Sequence, residues 1–159
     1  MKRILILASL AIYSINCFAG PELKITLLVT DKGQELFKSW EFPDGERFEV
    51  RPLKVAKRGE FLSAVVLFQG CAADAEGNCN VTLDITAYDP SGKKYGEFLG
   101  QELWVGKPAP ANGKTQLGVG YMGLVIEPND PLGKYRIFAS ANDKIANISV
   151  LSEVTFEIK

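Results

Sequence analysis

The chain has 159 residues and a nearly balanced charge, with 18 basic side chains, 19 acidic side chains and no histidine. The absence of histidine removes the commonest general base, the Ser-His-Asp arrangement and histidine metal sites. The charge balance supplies no basic stripe for nucleic acid or an anionic membrane surface. We therefore expect no nucleic-acid partner, and no motif in the chain indicates a cofactor.

The first residues have the form of a cleavable signal peptide. A short basic start is followed by an uncharged apolar run over 4–15, and Ala19 offers a small residue for cleavage. The apolar run is shorter than the roughly 20 residues that a stable membrane span needs. We predict a signal peptide at 1–19, cleaved after Ala19, and one exported domain at 20–159. The mature chain would be periplasmic or secreted, in a bacterium, without a transmembrane segment.

Cys17 leaves one alternative open. A lipoprotein signal places the lipid on a cysteine that follows a small residue, whereas Asn16 precedes Cys17 here. Ordinary cleavage discards Cys17 together with Lys2 and Arg3, which takes the net charge from −1 to −3. We favour ordinary cleavage.

The first predicted strands lie in the part of the chain that follows the cleavage site. Residues 23–30 are rich in Ile, Leu, Val and Thr and predict a strand. A second strand is predicted at 37–42, where Trp40 alternates with Phe42, so that Trp40 would pack in the core. Pro, Asp and Gly at 43–45 predict a turn.

The middle of the chain carries the clearest strand patterns. Alternation resumes over 48–55, and 61–68 is almost wholly apolar, which predicts a central strand buried on both faces. Residues 81–88 alternate between apolar and polar, so one face of that strand is dry and the other wet. A short strand is predicted at 98–105, and it contains Trp104.

The last third of the chain continues the same organisation. A Pro- and Gly-rich loop is predicted at 106–113, followed by a strand at 117–126. Three glycines in that strand indicate a bulge or a close backbone approach. Further alternation covers 135–141 and 145–158. Because no segment shows a sustained 3.6-residue apolar period with caps, we predict an all-β sandwich of eight or nine short strands.

Cys71 and Cys79 are the two cysteines that remain after cleavage, with seven residues between them. An even pair in an oxidising compartment predicts a disulfide. Asp74, Glu76 and Asn78 recur at every second position inside this loop, and oxygen ligands at that spacing can converge on Ca²⁺. The surrounding calcium-loop pattern is incomplete, so a polar loop without metal is the interpretation we favour.

The stretch 130–137 resembles the corner between strands E and F of immunoglobulin-like sandwiches. In that family a tyrosine opens strand F and its hydroxyl bonds to the backbone just upstream, and Tyr135 matches this position. Pro131 stands where family members often carry aspartate, and Ile137 where antibody domains place the second cysteine. The turn at 89–92 is similar to turns of bacterial and macroglobulin-type sandwich domains. The resemblance implies an immunoglobulin-like antiparallel sandwich, which is an architecture and not an activity.

Aromatic side chains are the remaining candidates for a recognition surface. Trp104 borders the predicted loop, and Tyr95 and Tyr121 are the other candidates for contact with a ligand or partner. Our first hypothesis is a non-enzymatic module of the bacterial envelope that binds another protein, since the loops and strand edges of such a fold suit recognition. The alternative is a carbohydrate- or small-ligand-binding module centred on Trp104.

A histidine-free hydrolase is the third hypothesis. It would need two carboxylates across a cleft, and Asp84 with Glu97 or Glu102 could be placed in such a scheme. Nothing in their spacing joins these residues, and exposed solubilising carboxylates are the simpler interpretation. We therefore predict no enzymatic activity.

Overall fold

The computed structural model describes residues 22–41, 51–111 and 113–159. The predicted signal peptide at 1–19 lies outside these ranges, and so do the turn and strand residues predicted within 42–50. The described ranges form eight strands and one helix, which in chain order are β1 (Lys24–Thr30), α1 (Gly33–Glu41), β2 (Val55–Ala56), β3 (Phe61–Gln69), β4 (Asn78–Tyr88), β5 (Lys94–Pro108), β6 (Gln116–Val125), β7 (Gly133–Asp143) and β8 (Ile148–Ile158).

The strands form two sheets. Sheet A has the order β1-β3-β6, and sheet B has the order β2-β8-β7-β4-β5. The described pairings are antiparallel except for the short parallel pair of β2 with β8. The predicted all-β fold with two layers and about eight strands is confirmed. Among the described residues, no helix reaches the length and apolar character that a membrane crossing requires.

The core between the sheets is built from alternate side chains. The inward residues of β4 are buried, while the residues between them are partly exposed, as the period-2 pattern predicts. Sheet A contributes the inward residues of β3, and β7 contributes a similar row. The largest fully buried members include Tyr135, Phe68, Phe156, Leu83, Ile85 and Ile137.

Helix α1 covers the outer face of sheet A. Leu36 is fully buried and packs with Leu28, Val65 and Leu117 in a second apolar cluster, separate from the core between the sheets. Val66, the neighbour of Val65 on β3, faces the core. Strand β3 is therefore buried on both faces, as its apolar sequence predicts.

The prediction of a strand at 37–42 is wrong, because these residues belong to α1 up to Glu41. Gly33, Leu36 and Trp40 recur at helical spacing, and this places them toward the sheet. The apolar stripe is too short to stand out against the alternation of Trp40 with Phe42. Trp40 is also not a core residue, since 37% of it is exposed.

The first residue of α1 must be small. A Cβ atom on Gly33 would lie 2.3 Å from Ser63 Oγ, which is closer than non-bonded atoms tolerate. This glycine lets the start of the helix rest directly on β3, and the contact sets the height of α1 above the sheet.

Strand β5 is longer than predicted. It runs from Lys94 to Pro108, beyond the expected 98–105 and into the predicted loop at 106–113. Its pairing with β4 shifts register several times. Gly100 and Gly106 have positive φ angles of 66° and 62°, which allows the strand to bulge and continue. Conversely, of the described part of the strand predicted at 48–55, only Val55 lies in a strand, β2 (Val55–Ala56).

The two open sides of the sandwich are closed differently. On one side the chain before β2 lies between β1 and β8: Leu53 N donates to Val29 O at 2.7 Å, and Glu157 N donates to Lys54 O at 2.9 Å. On the other side β6 approaches β5 through glycines. A Cβ on Gly120 would lie 2.8 Å from Glu102 O, which is the kind of close approach that the glycines of this strand indicate.

The predicted disulfide joins Cys71 and Cys79, whose Cα atoms are 6.0 Å apart. Both residues are buried at the edge of the core. The bond closes the loop between β3 and β4 and fixes the start of β4 against sheet A.

We expect reduction of the Cys71–Cys79 disulfide to lower the free energy of unfolding by about 2.5 kcal/mol, because the unfolded chain gains loop entropy. Urea denaturation of the oxidised and reduced protein measures this difference. A Cys71→Ala/Cys79→Ala variant serves as the control and should not respond to the reductant. Two titratable thiols in the denatured, non-reduced protein would contradict the pairing.

Candidate functional site

A groove runs along α1, between the helix and strand β6. Its wider part has a volume of about 220 Å³ and its narrower part about 40 Å³. Phe37 lines both parts, so they lie on either side of its side chain, and we call the two together the α1 groove. The wider part is lined by Phe37, Trp40, Trp104, Lys107, Leu117 and Val119, and the narrower part includes Phe61, Ser63 and Tyr121.

Two ring contacts shape the narrow part of the α1 groove. The rings of Phe37 and Tyr121 lie 5.2 Å apart in a tilted arrangement. Phe61 lies across Gly123, since a Cβ at that position would be 2.9 Å from the end of the Phe61 ring. The glycine of β6 thus provides the space in which an aromatic side chain from β3 lies flat and exposed.

The two tryptophans flank the wide part. The indole nitrogen of Trp40 donates to Gln116 Oε1 at 3.3 Å. The indole nitrogen of Trp104 donates to Pro108 O at 2.9 Å. The centre of its ring lies 5.2 Å from the centre of the Phe68 ring and 4.8 Å from Lys107 Nζ. Because these neighbours occupy the Trp104 ring, this side chain is a wall of the groove more than a free stacking platform.

Four of the eleven exposed large apolar side chains among the described residues line the α1 groove. Phe61 is 52% exposed and Tyr121 43% exposed, and Trp40 and Val119 are similar. A contiguous group of exposed large apolar side chains marks an interaction site more often than scattered single ones do. Trp104 and Tyr121 were candidates by sequence. Phe61, Phe37 and Val119 were not, because only the fold shows which side chains of a buried strand and a helix reach the surface.

Tyr95 lies apart from the α1 groove. Its hydroxyl is 2.5 Å from Asp130 Oδ2 and 2.8 Å from Val125 O, and its ring packs edge-on against Tyr135 at 5.5 Å. Burial, followed by the hydrogen bond to Asp130 and the charge of that carboxylate, raises the pKa of Tyr95. The structure therefore does not bring the three aromatic candidates together, and it gives Tyr95 a role inside the fold.

Tyr135 lies beside Tyr95 at the start of β7. It is fully buried, and its hydroxyl donates to Pro131 O at 2.9 Å, four residues upstream. Burial raises the pKa of Tyr135. The carboxylate of Asp130 also accepts from Glu127 N at 2.8 Å, so the turn before β7 is held from several directions.

The polar groups of the loop closed by the disulfide form hydrogen bonds within that loop. Asp74 Oδ1 accepts hydrogen bonds from Glu76 N at 3.1 Å and from Asn78 N at 2.8 Å. Within the part of the chain that the structure describes, no group of three or more His, Cys, Asp or Glu side chains is arranged to hold a metal ion. The carboxylate of Asp74 thus stabilises the turn.

Two of the three carboxylates considered for hydrolysis, Asp84 and Glu97, accept hydrogen bonds, and Glu102 is exposed. Asp84 accepts from Gly100 N at 2.7 Å through one oxygen and from Asn142 Nδ2 at 3.1 Å through the other. Glu97 accepts from Lys94 Nζ at 2.7 Å. Asp84 therefore anchors the bulge of β5 at Gly100 rather than facing an open cleft.

No family model matches this chain, and no curated protein matches it in sequence. Solved structures with similar folds include an alkylpurine DNA glycosylase from Pseudomonas fluorescens, bound to DNA containing an abasic-site analogue. It is 14% identical with a TM-score of 0.48, and the match covers 87% of this chain and 31% of the glycosylase. This chain thus spans about a third of that protein's length.

Two further structures are similar at the same level. The CARDB domain of the PF1109 protein from Pyrococcus furiosus, in complex with di-metal ions, is 12% identical, with a TM-score of 0.44 and coverage of 96% of this chain and 100% of the domain. A family 123 glycoside hydrolase from Clostridium perfringens is 11% identical, with a TM-score of 0.45 and coverage of 86% and 27%. These likenesses concern the fold, and no activity follows from them.

We expect the stability of the protein to fall as the pH rises above about 10, with a contribution from Tyr95. The folded-state pKa of Tyr95 is raised above its ordinary value of 10.0. The unfolded chain therefore loses this proton first, so the stabilisation is complete below pH 10 and is lost as the pH rises above it. Urea midpoints measured on both sides of this pH should show a smaller fall for Tyr95→Phe than for the unaltered protein. Tyr121→Phe, on the exposed surface, is the matched control, and a fall equally reduced in both variants would refute the assignment.

Proposed function

We propose that this protein is a non-catalytic recognition module of the bacterial envelope, and that its α1 groove binds an apolar segment of a protein partner. The observation that carries the proposal is the continuous row of exposed aromatic side chains along α1. Tyr121 packs against the Phe37 ring, and the Phe61 ring lies in the space that the missing side chain of Gly123 leaves. Rigid aromatic anchors of this kind dominate the energetics of protein interfaces.

The dimensions of the groove indicate a short segment. Helix α1 has nine residues and is therefore about 13 Å long. An extended peptide rises about 3.3 Å per residue, so about four residues fit alongside the helix. The partner segment would place apolar side chains in the wide part, beside Trp40 and Val119, and in the narrow part, beside Tyr121.

The polar groups at the groove favour a protein partner over a sugar. Sugar sites combine free aromatic faces with several converging hydrogen-bonding groups. Here the indole nitrogens of both tryptophans already donate to Gln116 and Pro108, and Lys107 lies over the ring of Trp104. This arrangement weighs against the carbohydrate site that we considered at Trp104.

An immunoglobulin-like architecture and an exported location belong to the same proposal. The hydrogen bond from Tyr135 to Pro131 has the form that the corner resemblance implies, and it supports the architectural part. The basic and apolar pattern of 1–19 and the disulfide between Cys71 and Cys79 support export to an oxidising compartment.

We expect Phe61→Ser and Tyr121→Ser each to weaken peptide binding by about 2 kcal/mol, or roughly 30-fold, because each removes an aromatic anchor. The probe is a library of random peptides displayed on phage and selected on the purified protein. The peptides recovered should be enriched in large apolar residues, and their affinities are then measured by calorimetry.

Leu151→Ser is the matched control for these variants. Leu151 is 78% exposed on β8 of sheet B, so the substitution removes a similar apolar group from a different face. Thermal melting of all three variants should stay close to that of the unaltered protein, since the residues are exposed. Equal loss of binding in Leu151→Ser, or selection of peptides without apolar residues, would overturn the proposal.

A further inference from the structure

A second cleft lies on the outer face of sheet B. It has a volume of about 280 Å³ and is lined by Tyr88, Gly92, Arg136 and Phe138. Tyr88 on β4 and Arg136 on β7 are register partners, and Phe138 is two residues further along β7. Alternation along the strands therefore brings all three side chains to the same face.

The aromatic residues and the guanidinium form one arrangement. The rings of Tyr88 and Phe138 meet edge to face with their centres 5.7 Å apart. The guanidinium of Arg136 lies over the Phe138 ring at 5.8 Å. Gly92 leaves the rim open, since an added Cβ there would meet nothing within 4 Å. This cation–π contact places the guanidinium beside the Phe138 ring, and the Arg136 side chain is exposed to solvent.

Among the described residues, the donors of Arg136 find no acceptor. Across the described ranges, its guanidinium has no hydrogen-bond acceptor and no carboxylate within ion-pair distance, and its recorded contact is the one with Phe138. A guanidinium presents five donors in a fork that matches a carboxylate with two parallel hydrogen bonds. An anionic group is therefore the natural complement of this cleft.

Two lysines lie next to residues of the cleft along the chain. Lys134 is exposed two residues before Arg136 on the same strand, and Lys93 follows Gly92. The nearby Asp89 is engaged by its own turn, where its carboxylate accepts from Ser91 Oγ at 2.6 Å, and this hydrogen bond lowers the pKa of Asp89.

The other acidic side chains on this face include Glu97, Glu153, Asp84 and Glu157. Lys94 donates to Glu97 at 2.7 Å, which neutralises that carboxylate, and Lys159 Nζ lies 3.5 Å from Glu157. Glu153 pairs in register with Phe138, and the structure shows no basic partner for it among the described residues.

The surface that continues from the cleft carries small polar side chains, together with Asp84 and the exposed Leu151 beside Ser140. Thr86, Ser140 and Asn142 follow on the same face of β4 and β7. Ser149 Oγ donates to Asn142 Oδ1 at 2.6 Å, which extends the polar row to β8. A ligand rich in hydroxyl groups suits this row, because hydroxyls exchange hydrogen bonds with hydroxyl and amide side chains.

We propose that this cleft binds a carboxylated sugar unit of an acidic polysaccharide. Arg136 would pair with the carboxylate through two hydrogen bonds, and the sugar ring would lie against Tyr88 and Phe138. The polar row would contact the next units of the polymer.

The experiment is calorimetric titration of the purified protein with a short oligogalacturonate at low ionic strength. We expect measurable binding that weakens as salt is added. Arg136→Gln should weaken it at least ten-fold, since it removes a charge-assisted pair of hydrogen bonds. Arg136→Lys keeps the charge but loses the forked pair of donors, so its affinity should lie between those of the unaltered protein and Arg136→Gln. Lys114→Gln removes an exposed charge elsewhere and should change the affinity less than two-fold.

Two further ligands separate the alternatives. A neutral oligosaccharide of the same length should bind at least ten-fold more weakly than the oligogalacturonate. A polyglutamate peptide that binds as tightly as the oligogalacturonate would show an acidic-peptide site and would overturn the proposal. Absence of oligogalacturonate binding, or equal binding by Arg136→Gln, would also overturn it. These results do not depend on the α1 groove, which lies on the other sheet.

Discussion

The burial of Leu36 on the outer face of sheet A is the contact on which the architecture of the candidate site depends. Leu36 joins Leu28, Val65 and Leu117 in an apolar cluster outside the main core. Burying one leucine fully contributes about 2 kcal/mol, and this holds α1 on the sheet at a fixed position. Gly33 brings the start of the helix down onto Ser63. The α1 groove exists because the helix is seated in this way and leaves β6 beside it uncovered.

The two sheets present different chemistry to solvent for a simple geometric reason. On the outer face of sheet A, β3 and β6 present a second apolar face, so the part of these two strands that α1 leaves uncovered carries aromatic and aliphatic side chains. The outer face of sheet B belongs to strands with strict alternation, such as β4, so it carries Thr, Asp, Asn and Arg side chains. The periodicity of each strand thus decides whether its exposed face favours an apolar ligand or a hydroxyl-rich and charged one.

Strand periodicity made most of the fold predictable, and longer-range contacts account for what was missed. The strand at 81–88 carries a two-residue alternation, and the strand at 61–68 is a short apolar run bounded by turn residues; both were predicted. Helix α1 was missed because its stripe contains only a few apolar residues, and its stability comes from packing on sheet A rather than from local signals. The long β5 was missed because bulges at glycine are set by the pairing partner, with Asp84 holding Gly100 N.

The same distinction explains the outcome for the aromatic candidates. A sequence shows that Tyr95 and Tyr121 are aromatic, but their environments depend on residues far along the chain. The hydroxyl of Tyr95 donates to Asp130, whereas Tyr121 packs against Phe37 and stays exposed. Because the α1 groove and the cleft at Arg136 lie on opposite sheets, their ligands do not compete for space. A polysaccharide held at sheet B would leave the apolar groove free to engage a protein, so the two proposed sites together describe a module able to place a protein partner on an acidic polymer.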